Sequence, residues 1–168
     1  YFGSVFSDMT FLPIVVVEKG LELFYNIKNN KSITMLKAII HTDGGARGNP
    51  GPAGIGVVIK IGDEIHEFKE YIGETTNNQA EYRALILALT KAKLLNASEV
   101  ECFLDSELVV KQLKREYKVK DKDLATLFLK VWNLSAEFKK ISFHHVYREN
   151  NKHADQLVNE AIDSYLKK

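Results

Sequence analysis

From Leu36 onward, the hydrophobic pattern of this 168-residue chain alternates between strand and helix periods, and this alternation restricts the fold more than any other feature. Short runs rich in isoleucine and valine predict strands, and longer runs with apolar residues three or four apart predict helices. The predicted order is three strands, a helix, a strand, two helices, a strand and a final helix. This order, βββαβααβα, predicts an α/β fold with a five-stranded mixed sheet flanked by helices. The first and fourth strands, joined through a helix, are expected to run parallel.

The strand predictions come from five short segments. "LKAIIHTD" predicts a strand that ends at Asp43, and "GIGVVIK" and "EIHEFKEYI" predict a hairpin around a Gly62-Asp63 turn. "VECFLD" predicts a buried strand that ends at Asp105, and "ISFHHVY" predicts the last strand. Because sites in α/β sheets lie beyond the carboxyl ends of the strands, Asp43 and Asp105 are candidate site residues.

The helix predictions come from amphipathic segments. "TTNNQAEYRALILALTKAKLL" predicts a helix, and Thr76 with Gln79 three residues later matches a capping box. "SELVVKQLKREY" and "DLATLFLKVWNLSAEF" predict two more helices, and a last one begins at about Ala154. The buried stripe expected on the first helix comprises Ala84, Leu85, Ala88, Leu89, Ala92 and Leu95.

Composition restricts the domain organisation and the cellular context. Residues 1–35 are predicted to form an N-terminal appendage, with an expression scar at 1–4, and residues 36–168 to form one domain. The single cysteine, Cys102, excludes an internal disulfide and is typical of a reducing compartment, so a cytoplasmic location is expected. No apolar run reaches 18 residues, so no membrane partner is expected.

Two further acids are predicted to face the same end of the sheet. Glu81 lies early in the first helix beside Ala84 and Leu85, and Asp155 lies at the start of the last helix. Each acid alone has an ordinary explanation, since aspartates cap helices and acids favour a helix N-terminus. Four acids together repel one another unless a cation neutralises them, which favours a site for Mg²⁺, with Mn²⁺ as a substitute.

Such an acidic site is typical of metal-assisted phosphoryl transfer. Two ions held by carboxylates can activate the attacking water and the leaving oxygen of a phosphodiester. The glycine-rich stretch after Asp43 lacks the G-x-x-x-x-G-K-[ST] pattern, so a P-loop is excluded. Cys102 lies in an apolar strand and is interpreted as a packing residue.

Four motifs in this order give the chain a specific resemblance: "TDGGARGNPGPAG", "TTNNQAEYRAL", "LDSELVV" and "HVYRENNKHADQL". From about Leu36 to Ala161 the chain resembles type 1 ribonuclease H, in the compact bacterial and archaeal subgroup without a basic protrusion. The resemblance implies two metal ions, endonucleolytic cleavage of the RNA strand of an RNA–DNA hybrid, and 5′-phosphate and 3′-hydroxyl ends. It also implies that the metal-binding catalytic acids are Asp43, Glu81, Asp105 and Asp155.

The resemblance further implies substrate contacts from the glycine-rich loop and the first helix. The implied substrate-binding residues are Gly44, Asn49, Thr76, Asn77, Asn78 and Gln79. Turn and cap chemistry is the alternative explanation for the asparagines. His145 and Arg148 are alternative auxiliary catalytic residues. Glu74 lies near Thr76, where certain relatives carry a basic residue, and Glu107 stands where many relatives have glutamine.

A cluster of basic residues between the third and fourth acids has two explanations. It could bind nucleic acid electrostatically, or it could be an ordinary solvated surface. The cluster comprises Lys111, Lys114, Arg115, Lys118, Lys120 and Lys122. Trp132 is interpreted as the rim of the core rather than a stacking platform.

Two other functions remain open from the sequence. The chain could be a catalytically silent module that binds hybrids or double-stranded RNA. It could also be a nuclease of the same fold that acts on double-stranded RNA or junction DNA. A monomer is expected.

Overall fold

The computed structural model describes residues 35–167. Apart from Met35, the predicted appendage at 1–35, with its scar at 1–4, lies outside the described residues. The described residues form a five-stranded sheet. Its strands are β1 (Lys37–Ala46), β2 (Gly51–Ile61), β3 (Glu64–Thr75), β4 (Glu99–Leu104) and β5 (Lys140–His145).

Four α-helices accompany the sheet, and the predicted order βββαβααβα is confirmed. They are α1 (Asn77–Leu94), α2 (Glu107–Leu113), α3 (Lys122–Ser135) and α4 (Lys152–Leu166). A short 3₁₀ helix, Arg148–Asn150, precedes α4. Within residues 35–167, no helix has the length and apolar character needed to cross a membrane.

The strands lie in the order β3-β2-β1-β4-β5. The hairpin of β2 and β3 and the pairing of β1 with β2 are antiparallel, and Gly62 adopts a φ of 59° in the predicted turn. The predicted parallel pairing of the first and fourth strands is confirmed, and β5 continues the sheet parallel to β4. The centre of the sheet is therefore the parallel pair β1 and β4.

Strand β1 continues past Asp43, so the prediction that it ends there is wrong. Gly44 and Ala46 remain paired with Ile55 and Ala53 of β2. The ladder with β4, by contrast, stops at the pair Thr42 and Leu104. The antiparallel partner thus keeps β1 extended after its parallel partner has ended, and Asp43 lies where the two neighbours of β1 diverge.

The main core lies between the sheet and helices α1 to α3, and α4 packs on the opposite face against β1 to β3. The predicted stripe of α1 is buried except for Leu95, which is partly exposed. Cys102 is fully buried among these residues, as predicted, and burial raises the pKa of its thiol.

Two glycines allow helices to approach the sheet closely. A Cβ on Gly44 would lie 2.2 Å from the Ala80 carbonyl carbon, so α1 can take its position only over a residue without a side chain. A Cβ on Gly56 would lie 2.3 Å from the Ala154 carbonyl oxygen of α4. Because Gly56 pairs with Asp43, and side chains alternate along a strand, the two helices approach on opposite faces. These contacts bring the first turns of α1 and α4 to the Asp43 region.

We expect Gly44→Ala to destabilise the protein by about 3 kcal/mol, since the new methyl group would overlap backbone atoms that cannot yield without moving α1. Urea unfolding followed by circular dichroism measures this change. Gly45→Ala is the matched control, because its Cβ would meet Val158 Cγ1 at 3.4 Å, an ordinary contact. Equal losses of stability in the two variants would contradict the close-approach explanation.

Candidate active site

Three acids meet where β1 and β4 separate. Asp43 belongs to β1, Asp105 follows β4, and Glu81 lies in the first turns of α1. One carboxylate oxygen from each acid lies within 4.8 Å of one oxygen of each of the others. Because the β1–β4 ladder ends one residue before each aspartate, the strands leave space at this point into which Glu81 reaches. The structure thus brings together three of the four predicted metal-binding acids.

The fourth acid lines the same cavity but is paired with an arginine. The cavity measures about 500 Å³ and is lined by all four acids and by Arg148. Arg148 Nε donates to Asp155 Oδ1 at 3.1 Å, and its Nη2 contacts the same oxygen. Asn159 Nδ2 lies 3.3 Å from Asp155 Oδ2. Asp155 therefore faces the cavity from α4 with a positive partner of its own.

Burial makes the ionised forms of the inner acids costly. Asp43 and Glu81 expose only 7% and 8% of their surface. Desolvation raises the pKa of Asp43 to about 7, and repulsion by Asp105 and Asp155 adds to this effect. Desolvation likewise raises the pKa of Glu81 well above its ordinary value, with repulsion by Asp43 and Asp105, and burial raises the pKa of Asp105. Without a cation, this site therefore tends to retain protons.

The unpaired oxygens of the cluster fit a hard divalent cation. Glu81 Oε2 and Asp105 Oδ1 are buried and have no hydrogen-bond partner among residues 35–167. Buried polar atoms without partners are uncommon and costly in proteins, unless a water or an ion supplies the missing interaction. Carboxylate oxygens are the ligands that Mg²⁺ prefers. The donor set at this site thus fits a hard divalent cation, and the choice of Mg²⁺ stays a prediction.

The predicted substrate-binding residues make loop and cap contacts at the start of α1. Thr76 accepts from the Gln79 N–H at 3.3 Å, as the capping pattern predicts, and the Thr75 hydroxyl donates to Gln79 Oε1. Asn49 Oδ1 accepts from the Asn77 N–H at 3.1 Å, and Asn77 Oδ1 accepts from the Ala46 N–H at 2.7 Å. Turn and cap chemistry therefore uses the carbonyl oxygens of both asparagines.

Only part of this substrate-binding set reaches the acidic cavity. Gly44 and Asn77 line it. Asn49, Thr76, Asn78 and Gln79 lie outside its lining, although they belong to the same loop and helix start. The missing side chain of Gly44 is explained by the close approach of α1, independently of any substrate.

The two candidate auxiliary residues occupy different places. Arg148 lines the cavity. His145 ends β5, is exposed, and lies edge-on to the Tyr147 ring at 5.7 Å, outside the cavity lining. In this arrangement the side chain that faces the acids is Arg148.

Part of the basic cluster has partners within the chain. Lys111 Nζ lies 2.7 Å from Glu107 Oε1, and Arg115 lies 4.3 Å from the centre of the Trp132 ring. Trp132 is 40% exposed and stacks against Phe128, which is consistent with the rim of the core. The exposed members without such a contact in the described part of the chain are Lys114, Lys118, Lys120 and Lys122.

One residue near the site received no role from the sequence. Asn151 precedes α4, exposes 1% of its surface, and donates from Nδ2 to the Thr42 carbonyl at 2.9 Å. An asparagine before a helix ordinarily predicts a helix cap, so the sequence gives no reason to expect a contact with a distant strand. The feature that could have identified Asn151 is its position four residues before Asp155.

Comparison with known proteins identifies a family and several relatives that resemble this chain. The family model described as "Reverse transcriptase-like" matches residues 41–161. A bifunctional protein of Mycobacterium tuberculosis is 44% identical over 132 residues, which cover 77% of this chain and 36% of that protein. Ribonuclease HI of Halobacterium salinarum is 44% identical over 123 residues, covering 72% of this chain and 62% of the relative. The chain thus spans between one and two thirds of these relatives.

A solved structure has the same fold. LC11-RNase H1, determined in complex with an RNA/DNA hybrid, is 51% identical and superposes with a TM-score of 0.73. The match covers 77% of this chain and 99% of that structure. This likeness confirms the predicted α/β fold in three dimensions, in addition to the order of its elements.

We expect Asp43→Asn to stabilise the metal-free protein, and to do so more at high pH. Because the folded-state pKa of Asp43 is about 7, against an ordinary 3.8, the folded state holds a proton that the unfolded state has lost between these values. The free energy of unfolding therefore falls as pH rises through this range. The asparagine side chain does not titrate, so the variant does not lose stability in this way. Its gain in free energy of unfolding over the unmodified protein should therefore be larger at pH 8 than at pH 5, by at most about 3 kcal/mol.

Urea unfolding in EDTA at pH 5 and pH 8 measures this advantage. Asp63→Asn, in the exposed hairpin turn, is the matched control and should give no difference between the two pH values. A stability change in Asp43→Asn that is the same at both pH values would contradict the burial argument.

Proposed function

Because this chain belongs to the ribonuclease H family, we propose that it is an endonuclease that hydrolyses the RNA strand of RNA–DNA hybrids. The products would be 5′-phosphate and 3′-hydroxyl ends. The observation that carries this proposal is the cluster of Asp43, Glu81 and Asp105, each of which has one carboxylate oxygen within 4.8 Å of one oxygen of each of the others. A cavity of about 500 Å³ beside the cluster gives a phosphodiester room to approach.

We propose that the four acids hold two Mg²⁺ ions, with Mn²⁺ as a substitute. Asp43 and Asp105 would contribute to both ions, and Glu81 and Asp155 would each complete one site. When bound, such ions supply Lewis-acid activation of water and stabilise charge on the leaving oxygen. The buried, unpaired oxygens of Glu81 and Asp105 support this assignment.

The protonation of the site links cation binding to pH. The pKa of Asp43 is raised to about 7, and that of Glu81 is raised well above its ordinary value, by burial first and by neighbouring acids second. A cation must displace the protons held by these carboxyls, so its binding is favoured above about pH 7. The proposed activity should rise with pH for the same reason.

The loop and the start of α1 are the proposed hybrid-reading surface. RNA differs from DNA by its 2′-hydroxyl, which short amides and backbone groups can contact across the minor groove. Asn77 supports this role because it lines the cavity, and Asn49 supports it because it fixes the position of Asn77. Thr76, Asn78, Gln79 and Gly44 complete the proposed surface. The hybrid in the LC11-RNase H1 complex supports the choice of substrate.

Arg148 is the proposed auxiliary residue. Its guanidinium is positive at every relevant pH, and its contact with Asp155 raises its pKa further. By holding the carboxylate of Asp155 at the cavity wall, Arg148 can orient the fourth acid and attract a phosphate at the same time. A monomeric state and a cytoplasmic location, in keeping with one buried thiol, are part of this proposal.

We expect Asp43→Asn to lower kcat for a labelled RNA–DNA hybrid at least about a hundredfold, since it removes a negative oxygen that would hold the proposed cations. Gel analysis of RNA fragments in Mg²⁺ measures the loss, and Asp63→Asn is the matched control with unchanged activity. A panel of RNA–DNA, RNA–RNA and junction DNA duplexes at fixed salt defines the substrate.

Three outcomes of this experiment would contradict the proposal. Undiminished cleavage by Asp43→Asn would remove the acids from the mechanism. Preference for RNA–RNA or junction DNA would favour a nuclease of the same fold with another substrate. Tight hybrid binding without cleavage at any Mg²⁺ or Mn²⁺ concentration would favour a silent binding module.

The two auxiliary candidates can be separated by substitution. We expect Arg148→Ala to lower kcat about tenfold or more, because Asp155 loses the partner that orients it. We expect His145→Ala to change kcat less than twofold, as its ring lies outside the cavity lining, and it is the matched control in the same segment. Steady-state kinetics on the hybrid measures both, and the reverse order of effects would assign the role to His145.

A further inference from the structure

The two carbonyl groups at the end of the β1–β4 ladder have partners from one segment of chain. Thr42 and Leu104 are the last register pair of the ladder, and each precedes an acid of the site. The Leu104 carbonyl accepts from the Val146 N–H at 2.9 Å, and the Thr42 carbonyl accepts from Asn151 Nδ2 at 2.9 Å. Residues 146–151 are therefore attached to the sheet immediately beside Asp43 and Asp105.

This attached segment carries Arg148 and leads into the helix that carries Asp155. The 3₁₀ helix Arg148–Asn150 lies between the two attachment points, and the Asn151 N–H donates to the Arg148 carbonyl at 2.9 Å. The Asp155 N–H donates to the Asn151 carbonyl at 3.1 Å, in the first turn of α4. One residue, Asn151, thus connects the sheet to both Arg148 and Asp155.

The contacts of Asn151 are unusual for its place at the start of a helix. Asparagine at this position normally accepts a hydrogen bond from the first turn. Asn151 makes no such side-chain contact with α4, and its amide donates instead to β1. The residue is buried, with 1% of its surface exposed. The Asn151 side chain therefore forms a hydrogen bond to the strand that carries Asp43, instead of capping α4.

We propose that Asn151 is a positioning residue that sets Asp155 and Arg148 relative to Asp43 and Asp105, and so determines the affinity of the site for a divalent cation. The inference rests on the proposed function in so far as the four acids hold that cation. Partners of metal ligands commonly change affinity or activity by ten- to a hundredfold when they are removed. Asn151 would do so by holding the backbone that carries the ligands.

The test compares Asn151→Ala with Asn150→Ala, the matched control at the exposed neighbouring position. Mg²⁺ is titrated calorimetrically into the substrate-free protein, and kcat and KM are measured on an RNA–DNA hybrid. Circular dichroism sets the temperature, so that every variant is folded during both measurements. We expect Asn151→Ala to weaken Mg²⁺ binding and to lower kcat, each about tenfold, with KM within about twofold of the original.

A second variant separates positioning from simple stability. Asn151→Ser can cap α4, but its shorter side chain falls short of the Thr42 carbonyl, so it should fold and still bind Mg²⁺ about tenfold more weakly. If Asn151→Ala does not fold, the Mg²⁺ affinity of Asn151→Ser still tests the positioning role. Lower thermal stability with unchanged Mg²⁺ affinity and unchanged kcat in the folded variants would overturn the inference.

The failure of the proposed function would look different. If the unmodified protein binds Mg²⁺ but cleaves no hybrid, the proposed activity is wrong, and the affinity comparison still decides the role of Asn151. If the unmodified protein binds no Mg²⁺, both the cation site and the positioning role are overturned.

Discussion

The main physical constraint on this structure is that several carboxylates lie close together and are largely shielded from water. Asp43 and Glu81 are almost fully buried, and one carboxylate oxygen of each lies within 4.8 Å of the other and of one oxygen of Asp105. Repulsion and desolvation both oppose this arrangement, which is visible in the raised pKa of Asp43 and Glu81. The apolar core on the α1 side of the sheet contributes stability that offsets this cost.

The acids are brought together by the close approach of two helices to the sheet. Gly44 lets α1 lie against β1, which places Glu81 beside Asp43, and Gly56 lets α4 lie against β2 on the opposite face. The end of the β1–β4 ladder leaves the space in which the acids meet. Gly44, which the sequence pattern assigns to the glycine-rich loop after Asp43, therefore lies inside a strand, where a missing Cβ determines the distance between layers.

Much of the fold and of the candidate site could be predicted from the chain alone. Apolar periodicity identified the five strands and four α-helices of the described domain, because each element buries one face, but it missed the 3₁₀ helix Arg148–Asn150. Apolar neighbours of Glu81 and Asp155 correctly predicted that both acids lie on helices facing the sheet end. The continuation of β1 past Asp43 was missed, because Gly44 and Gly45 favour a turn locally and are kept extended only by pairing with β2.

The sequence by itself determined the order of the elements, the parallel pairing at the centre and the identity of the acids, since periodicity, crossover rules and residue chemistry act locally. Only the tertiary structure decided which groups touch. It paired Arg148 with Asp155, left His145 outside the cavity lining, and directed Asn151 away from its own helix to the Thr42 carbonyl. Residues 42 and 151 are distant in the chain, and no local preference specifies a hydrogen bond that forms only after α4 packs on the sheet.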